Sequence, residues 1–333
     1  MKVLITTIPF AEMDRSPIQL LGEAGIEYVI NPFGRKMTET DLLSVVEEFD
    51  VIIAGTESIT EQVFEKAKRL KLICRVGIGL DSVDLLGARN HGVCVTYTPD
   101  APSPAVAELT IALILSLLRS VQLSNLRMHG LTWHRHFGRR LKTCTVGLIG
   151  VGRIGRLVIR NMTGIGCARL MLNDLQVSED LETQLPITWS DKDEIYREAD
   201  VISLHVPLTS TTRNMIDLRE LEMMKPDACL INTARGGIIN EEALYQVMSE
   251  GKLSGAAIDV FEKEPYDGAL SQIDNCLLTA HMGSMSVDCR MRMEIEATEE
   301  VLRFASGRQL LNPVPSSEYE IQSDSCQIEA RSE

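Results

Sequence analysis

The sequence predicts an α/β protein of two doubly wound units, each a parallel sheet with helices on its faces. Three observations lead there. Short β-branched runs alternate with amphipathic segments from the first residues onward. A second series of the same kind runs from Thr145 to Thr279. A stretch rich in Pro, Ala and Ser, Thr98 to Pro104, lies between the two. With 333 residues, 44% of them hydrophobic, the chain has material for two separate cores.

In the first series Lys2 to Ile8 reads as a strand and Ser16 to Glu23 as a helix, with Pro17 placed for a helix start; Val51 to Ala54 and Val93 to Thr96 are further strands. In the second, the strand candidates are Val146 to Ile149, Leu170 to Asn173, Val201 to His205, Ala228 to Asn232 and Ala256 to Asp259. The most apolar stretch, Ala105 to Leu118, follows a cap-and-proline pair at Ser103 and Pro104. It contains Glu108 and is shorter than the ~20 residues of a membrane helix. A helix that is wholly interior, or part of a subunit contact, is the expectation. After His281, the spacing of Met291, Met293, Ile295, Val301 and Leu302 predicts a helix over Val287 to Phe304, which carries the chain back to the first unit. Ser316 to Glu333 is polar and aperiodic, and a disordered tail is expected.

A formal charge of -14 and a pI near 5.0 oppose long-range attraction to nucleic acid or anionic lipid, so neither is expected as a partner. The eight cysteines (Cys74, Cys94, Cys144, Cys167, Cys229, Cys276, Cys289 and Cys326) form no Cys-x-x-Cys pair, and they read as buried thiols of a reducing compartment. The first residues, soon interrupted by Glu12 and Asp14, look like a strand and not a secretory signal. A cytoplasmic protein with a small-molecule partner and no bound metal is the expectation.

Gly150, Gly152 and Gly155 form Gly-x-Gly-x-x-Gly directly after the apolar strand and before the helical run Arg153 to Arg160. The first glycine permits a tight turn, the second lets backbone approach a pyrophosphate, and the third lets helix pack on strand. The helix N-terminus attracts the phosphates. A second strand then ends at Asp174, close to the ~20 residues at which an acid bonds the ribose hydroxyls of such a cofactor. That acid repels a 2'-phosphate, so NAD is favoured over NADP.

Three later strand ends carry titratable residues: Asn232 to Gly237, Asp259 to Pro265, and Thr279 to Gly283. In an open parallel sheet, the carboxyl ends of strands face the ligand. Hydride transfer at the C2 carbon of a 2-hydroxy acid needs a guanidinium fork for the carboxylate, an imidazole for the oxygen's proton, and a carboxylate that holds the imidazole. Arg235, His281 and Glu264 supply these in that order. Taken singly, each also has an ordinary reading as a surface or strand-end residue.

Together, they resemble the D-isomer-specific 2-hydroxyacid dehydrogenase family. The resemblance runs from about residue 50 to 305 through linked motifs: Arg75-Val76-Gly77-Ile78-Gly79-Leu80-Asp81, Pro104 to Glu108, the glycine fingerprint, His205-Val206-Pro207-Leu208-Thr209, Thr233-Ala234-Arg235-Gly236-Gly237, Asp259-Val260-Phe261 and Thr279-Ala280-His281. It implies a Rossmann NAD-binding domain, 104–283, inserted into a flavodoxin-like substrate domain, 1–103 and 284–315. It implies that Arg235, Glu264 and His281 are catalytic and that the backbone amides of Val76 and Gly77 help hold the substrate carboxylate. It places Arg153, Ile154, Asp174, Val206, Pro207, Thr212, Thr233 and Asp259 along the NAD site, Asp259 near the nicotinamide carboxamide. It also suggests a homodimer through the cofactor domains. Two residues depart from the common pattern: Ala280 stands where proline is usual, and Ser284 where glycine is frequent.

Within the family, the segments Gly55 to Glu57, Arg75 to Asp84 and Thr233 to Glu241 look most like phosphoglycerate dehydrogenases. Arg135, with Arg139 or Arg140, is the candidate fork for a substrate phosphate; a basic loop offsetting an acidic surface is the ordinary alternative. A glyoxylate, hydroxypyruvate or other 2-oxo acid reductase is the second reading. An NAD-sensing corepressor-like binding protein is a third, since such relatives keep the same three residues.

Overall fold

The structure, a computed structural model, describes residues 1–177, 181 and 185–323. By internal contacts it divides into one unit of Met1–Pro102 with Ser284–Glu333, and a second of Ser103–Gly283.

The first unit begins with β1 (Lys2–Ile5), α1 (Ser16–Glu23), β2 (Glu27–Ile30), α2 (Glu39–Val45), β3 (Val51–Ala54), α3 (Glu61–Lys66), β4 (Leu72–Arg75), α4 (Leu85–Asn90) and β5 (Cys94–Tyr97). All pairings are parallel, in the order β2-β1-β3-β4-β5, the flavodoxin-like order. β3 and β4 are buried along their whole length, so they read as unbroken apolar runs instead of alternating ones. Leu4, Ile52 and Ile73 share one core with Val63, Phe64 and Ala88. β1 is shorter than its apolar run, ending at Ile5.

The second unit contains α5 (Ser103–Leu118), α6 (Val121–His129), β6 (Thr145–Ile149), α7 (Arg153–Ile165), β7 (Arg169–Asn173), β8 (Ile187–Trp189), α8 (Lys192–Glu198), β9 (Val201–Leu204), α9 (Leu218–Met223), β10 (Cys229–Asn232), α10 (Glu241–Ser249), β11 (Gly255–Ile258) and β12 (Cys276–Leu278). Its seven parallel strands run β12-β11-β10-β9-β6-β7-β8, the Rossmann order with one added edge strand. The two-residue period of a strand divides its core. Leu230 and Ile258 face a layer with Leu244 and Val247 of α10, whereas Ile231 and Ala257 face Ile111 and Ile114 of α5 and Val158 and Ile159 of α7. Of the two readings of α5, wholly interior does not hold, because Glu108 and Ala112 are exposed. No single helix is long and apolar enough to cross a membrane among the described residues.

The chain then returns to the first unit through α11 (Val287–Ala305), which packs on α1, β3 and β4. The expectation of disorder from Ser316 is corrected for 316–323, which form a helix. Tyr319 packs on the first unit's core with the Arg89 guanidinium 3.9 Å from its ring centroid. The polar composition concealed these docking groups. The rest of the expected tail, 324–333 with Cys326, lies outside the described residues. The expectation of buried thiols needs one correction: the other six described cysteines are buried but Cys94 is exposed at the start of β5. Burial raises their thiols, to about 12 for Cys74 and Cys276.

Candidate active site

The glycine turn sits where β6 gives way to α7. Gly150 has φ +100°, and a Cβ there would lie 2.4 Å from the His205 carbonyl oxygen. A Cβ at Gly155 would lie 2.2 Å from the Gly150 oxygen, so helix and turn touch backbone to backbone. Gly152 differs: nothing lies within 4 Å of its Cβ position, which leaves an open side next to the start of α7. That helix has Gly152 as its N-cap and no side-chain cap bond. An uncapped N-terminus beside an open glycine fits an anion such as a dinucleotide's pyrophosphate. Asp174, just past β7, accepts from the Val151 amide at 2.6 Å, which draws its carboxylate onto the same turn. Beneath it, His205 shares a hydrogen bond of 2.9 Å with Ser203, and burial pushes its imidazole down to about 4. Val206 and Pro207 follow at the end of β9, and the Thr212 hydroxyl donates to the Pro207 carbonyl at 2.7 Å.

The turns that carry Arg235 and Glu264 lie side by side in this unit. After β10, Asn232 donates to the Arg235 carbonyl at 2.8 Å and accepts from the Ala234 amide at 3.0 Å, fixing the turn that carries Arg235. Thr233 hydrogen-bonds the buried Thr110 of α5, oxygen to oxygen 2.9 Å. A Cβ on Gly236 would fall 2.0 Å from the Phe261 carbonyl, so this turn presses on the backbone leading to Glu264. Glu264 in turn meets His281, with Nδ1 2.9 Å from Oε2 and 3.0 Å from Oε1. A carboxylate only accepts at neutral pH, so Nδ1 carries the proton and Nε2 is left to exchange with a ligand. Both side chains are part-exposed, 37% for His281 and 23% for Glu264, as a solvent-fed site requires.

His281 has φ +49°, a conformation unfavourable for a side chain with a Cβ. Asp259, 1% exposed, holds it there. Its Oδ1 accepts from the Thr279 hydroxyl at 2.6 Å and the Met282 amide at 2.8 Å, its Oδ2 from the Gly283 amide at 3.0 Å, and its carbonyl from the His281 amide at 2.8 Å. Rigidity in this turn, which has Ala280 instead of proline, thus comes from a carboxylate. The sequence assigned no role to Asn232, Thr279 or Thr110: the first two stood in the strand-end segments named above, whereas Thr110, inside the apolar run of α5, carried no signal.

In the first unit the amides of Val76 and Gly77 are both engaged, Val76 with the Ala54 carbonyl at 2.9 Å and Gly77 with the Thr98 hydroxyl at 2.8 Å. The expectation that these two amides receive a carboxylate is therefore corrected: the β-ladder and Thr98 have taken them. Arg139 is likewise committed, 2.9 Å from Asp227 and 3.4 Å from Asp200, so it forms no fork with Arg135. Arg135 is exposed and pairs with no acid among the described residues.

A family model for the D-isomer specific 2-hydroxyacid dehydrogenase NAD binding domain matches residues 111–283, more than half of the chain. The chain belongs to this family. Among its relatives are a hydroxypyruvate reductase of Thermotoga maritima, 35% identical over 80% of this chain and 88% of that protein, and a D-3-phosphoglycerate dehydrogenase of Methanocaldococcus jannaschii, 34% identical over 94% of this chain and 59% of that protein. The solved D-lactate dehydrogenase of Aquifex aeolicus, complexed with NAD and lactic acid, is 28% identical with a TM-score of 0.83, covering 94% and 99% of the two chains. As a D-2-hydroxyacid dehydrogenase, the chain is an NAD-dependent oxidoreductase acting on CH-OH donors.

Proposed function

We propose that Arg235, Glu264 and His281 carry this reaction, and that the substrate is a small 2-hydroxy acid or its 2-oxo partner. The observation that supports this most is the His281–Glu264 pair held beside the Arg235 turn in one unit. NAD supplies the hydride acceptor or donor opposite C2. In oxidation His281 takes the hydroxyl proton at Nε2 as hydride leaves C2; in reduction it returns the proton to the new alkoxide. Glu264 holds the ring in the required tautomer and stabilises the imidazolium. Arg235 holds the carboxylate through its planar fork. Gly150, Gly152, Gly155 and the α7 N-terminus take the pyrophosphate, Asp174 the ribose, and Val206, Pro207, Thr212, Thr233 and Asp259 line the rest. In the first unit the proposed carboxylate contact moves two residues on, to the amides of Ile78 and Gly79, which donate no hydrogen bond among the described residues.

For the acid itself the first reading is 3-phosphoglycerate. It is supported by the 34% identity over 94% of the chain to the Methanocaldococcus enzyme, and by Arg135 in a segment, Val121 to Thr143, that has no Asp or Glu. Hydroxypyruvate or glyoxylate is the second, favoured by the Thermotoga relative and by the loss of Arg139 to Asp227. A spectrophotometric panel of D- and L-2-hydroxy acids and their oxo partners, with NAD and NADP, tests this. Turnover of a D-acid with NAD, lost in Arg135→Ala only for a phosphorylated acid, supports the first reading. A chain inert to the whole panel but binding a partner peptide contradicts the catalytic proposal. A homodimer completes the reading, supported by the exposure of Leu131, Trp133 and Phe137 beyond α6, a helix with no buried residue.

A further inference from the structure

The helix over 316–323 makes an unexpected contact. Gln322 reaches back to the segment between β4 and α4: its Oε1 accepts from the Leu85 amide at 2.7 Å and the Leu86 amide at 3.3 Å, and its Nε2 donates to the Val83 carbonyl at 2.9 Å. The two amides are donors that a short helix leaves unsatisfied at its start, and the bond to the Val83 carbonyl ties the residue just before the N-cap Asp84 to the same side chain. Among the described residues, the Asp84 carboxylate accepts from the Gly87 amide, at 2.8 Å.

The connection from Val76 to Asp84 is otherwise anchored unevenly. At its near end Val76 continues the β-ladder onto Ala54, and Gly77 is locked to Thr98 by bonds in both directions. At its far end a single bridge joins Val83 to Ile59, with the Ile59 amide on the Ser82 carbonyl at 2.8 Å and the Asp84 amide on the Ile59 carbonyl at 2.9 Å. Between the anchors lie Ile78 and Gly79, half-buried. A backbone amide pair binds a carboxylate well only when the turn is already ordered, because ordering it on binding subtracts from affinity.

We infer that Gln322 is a positioning residue: it fixes the far anchor of the Val76–Asp84 turn, so that the Ile78 and Gly79 amides are preset for the substrate carboxylate. The inference rests on the carboxylate contact proposed above. Tyr319, stacked with Arg89, seats the helix that carries Gln322. The effect belongs to acid binding and not to the dinucleotide or the proton transfer, whose residues are in the other unit.

The test measures amide hydrogen exchange of peptides covering 77–86, together with KM for the oxo acid, kcat and NADH affinity, in the full chain. Gln322→Ala is expected to speed exchange there and to raise KM about 3- to 10-fold, the range of one lost helix cap, with kcat and NADH affinity within about 2-fold. Tyr319→Ala should do the same. Gln322→Glu keeps the acceptor for Leu85 and Leu86 and should restore most of the KM. Unchanged exchange in Gln322→Ala overturns the positioning role and leaves the carboxylate reading standing. Faster exchange with KM unmoved for every acid turned over overturns the proposal through that reading. A lower melting temperature with neither change shows a purely structural cap and also overturns it.

Discussion

His281 works only if its ring is both aimed and in the correct tautomer, and different residues do those two jobs. Glu264 fixes the tautomer through Nδ1, while Asp259 fixes the backbone turn. His281→Ala should therefore lower the rate of chemistry roughly 10²- to 10⁴-fold with NADH affinity nearly unchanged, read by single-turnover kinetics and fluorescence titration. Asp259→Asn replaces an acceptor by a donor facing the Met282 or Gly283 amide, and a fall in kcat of about 10²-fold is expected, since a misaimed base loses proximity; kcat within a few-fold of wild type would show the turn holds without it. His205 has its own signature. Its folded-state pKa of about 4 lies below the unfolded value, so the unfolded chain binds a proton first as pH falls. Stability is lost between about pH 6.5 and 4, by up to ~3 kcal/mol, and His205→Asn should flatten that limb of the melting profile.

At the level of elements, the sequence placed the central strands and the glycine turn well because buried parallel strands are unbroken apolar runs and glycine fingerprints are local. The close approach at Gly236 was not legible. The Arg-Gly-Gly run names a turn, but only coordinates show Phe261 packed where a Cβ would go. Gly236→Ala should push the Arg235 turn off the Glu264 loop and abolish turnover while leaving a folded chain, checked by circular dichroism beside the assay. The helix over 316–323 was missed for a related reason: its anchoring relies on one glutamine and one aromatic ring, which leave no periodic pattern. Asp174→Ala should narrow the preference for NAD over NADP, measured as the ratio of kcat/KM values; an unchanged ratio would move the ribose contact elsewhere.

At the scale of the whole molecule, each unit's sheet is covered on both faces, and the functional groups gather at strand ends where the turns are free to vary. The proposed catalytic trio could be picked out because three residue types with complementary chemistry fell at three successive strand ends. What orders them was not, since Asn232, Asp259 and Thr110 act through bonds to partners distant in sequence or to backbone. The proposed substrate amides lie two residues beyond the pair expected from the sequence, because a sequence does not reveal which N–H groups the ladder has already taken. The most direct test follows deuterium from a C2-deuterated D-2-hydroxy acid into NADH, in wild type and in His281→Ala. Stoichiometric label transfer with a primary isotope effect is expected in wild type, and transfer slowed by orders of magnitude in the variant. Label in NADH at the same rate without the imidazole would contradict it.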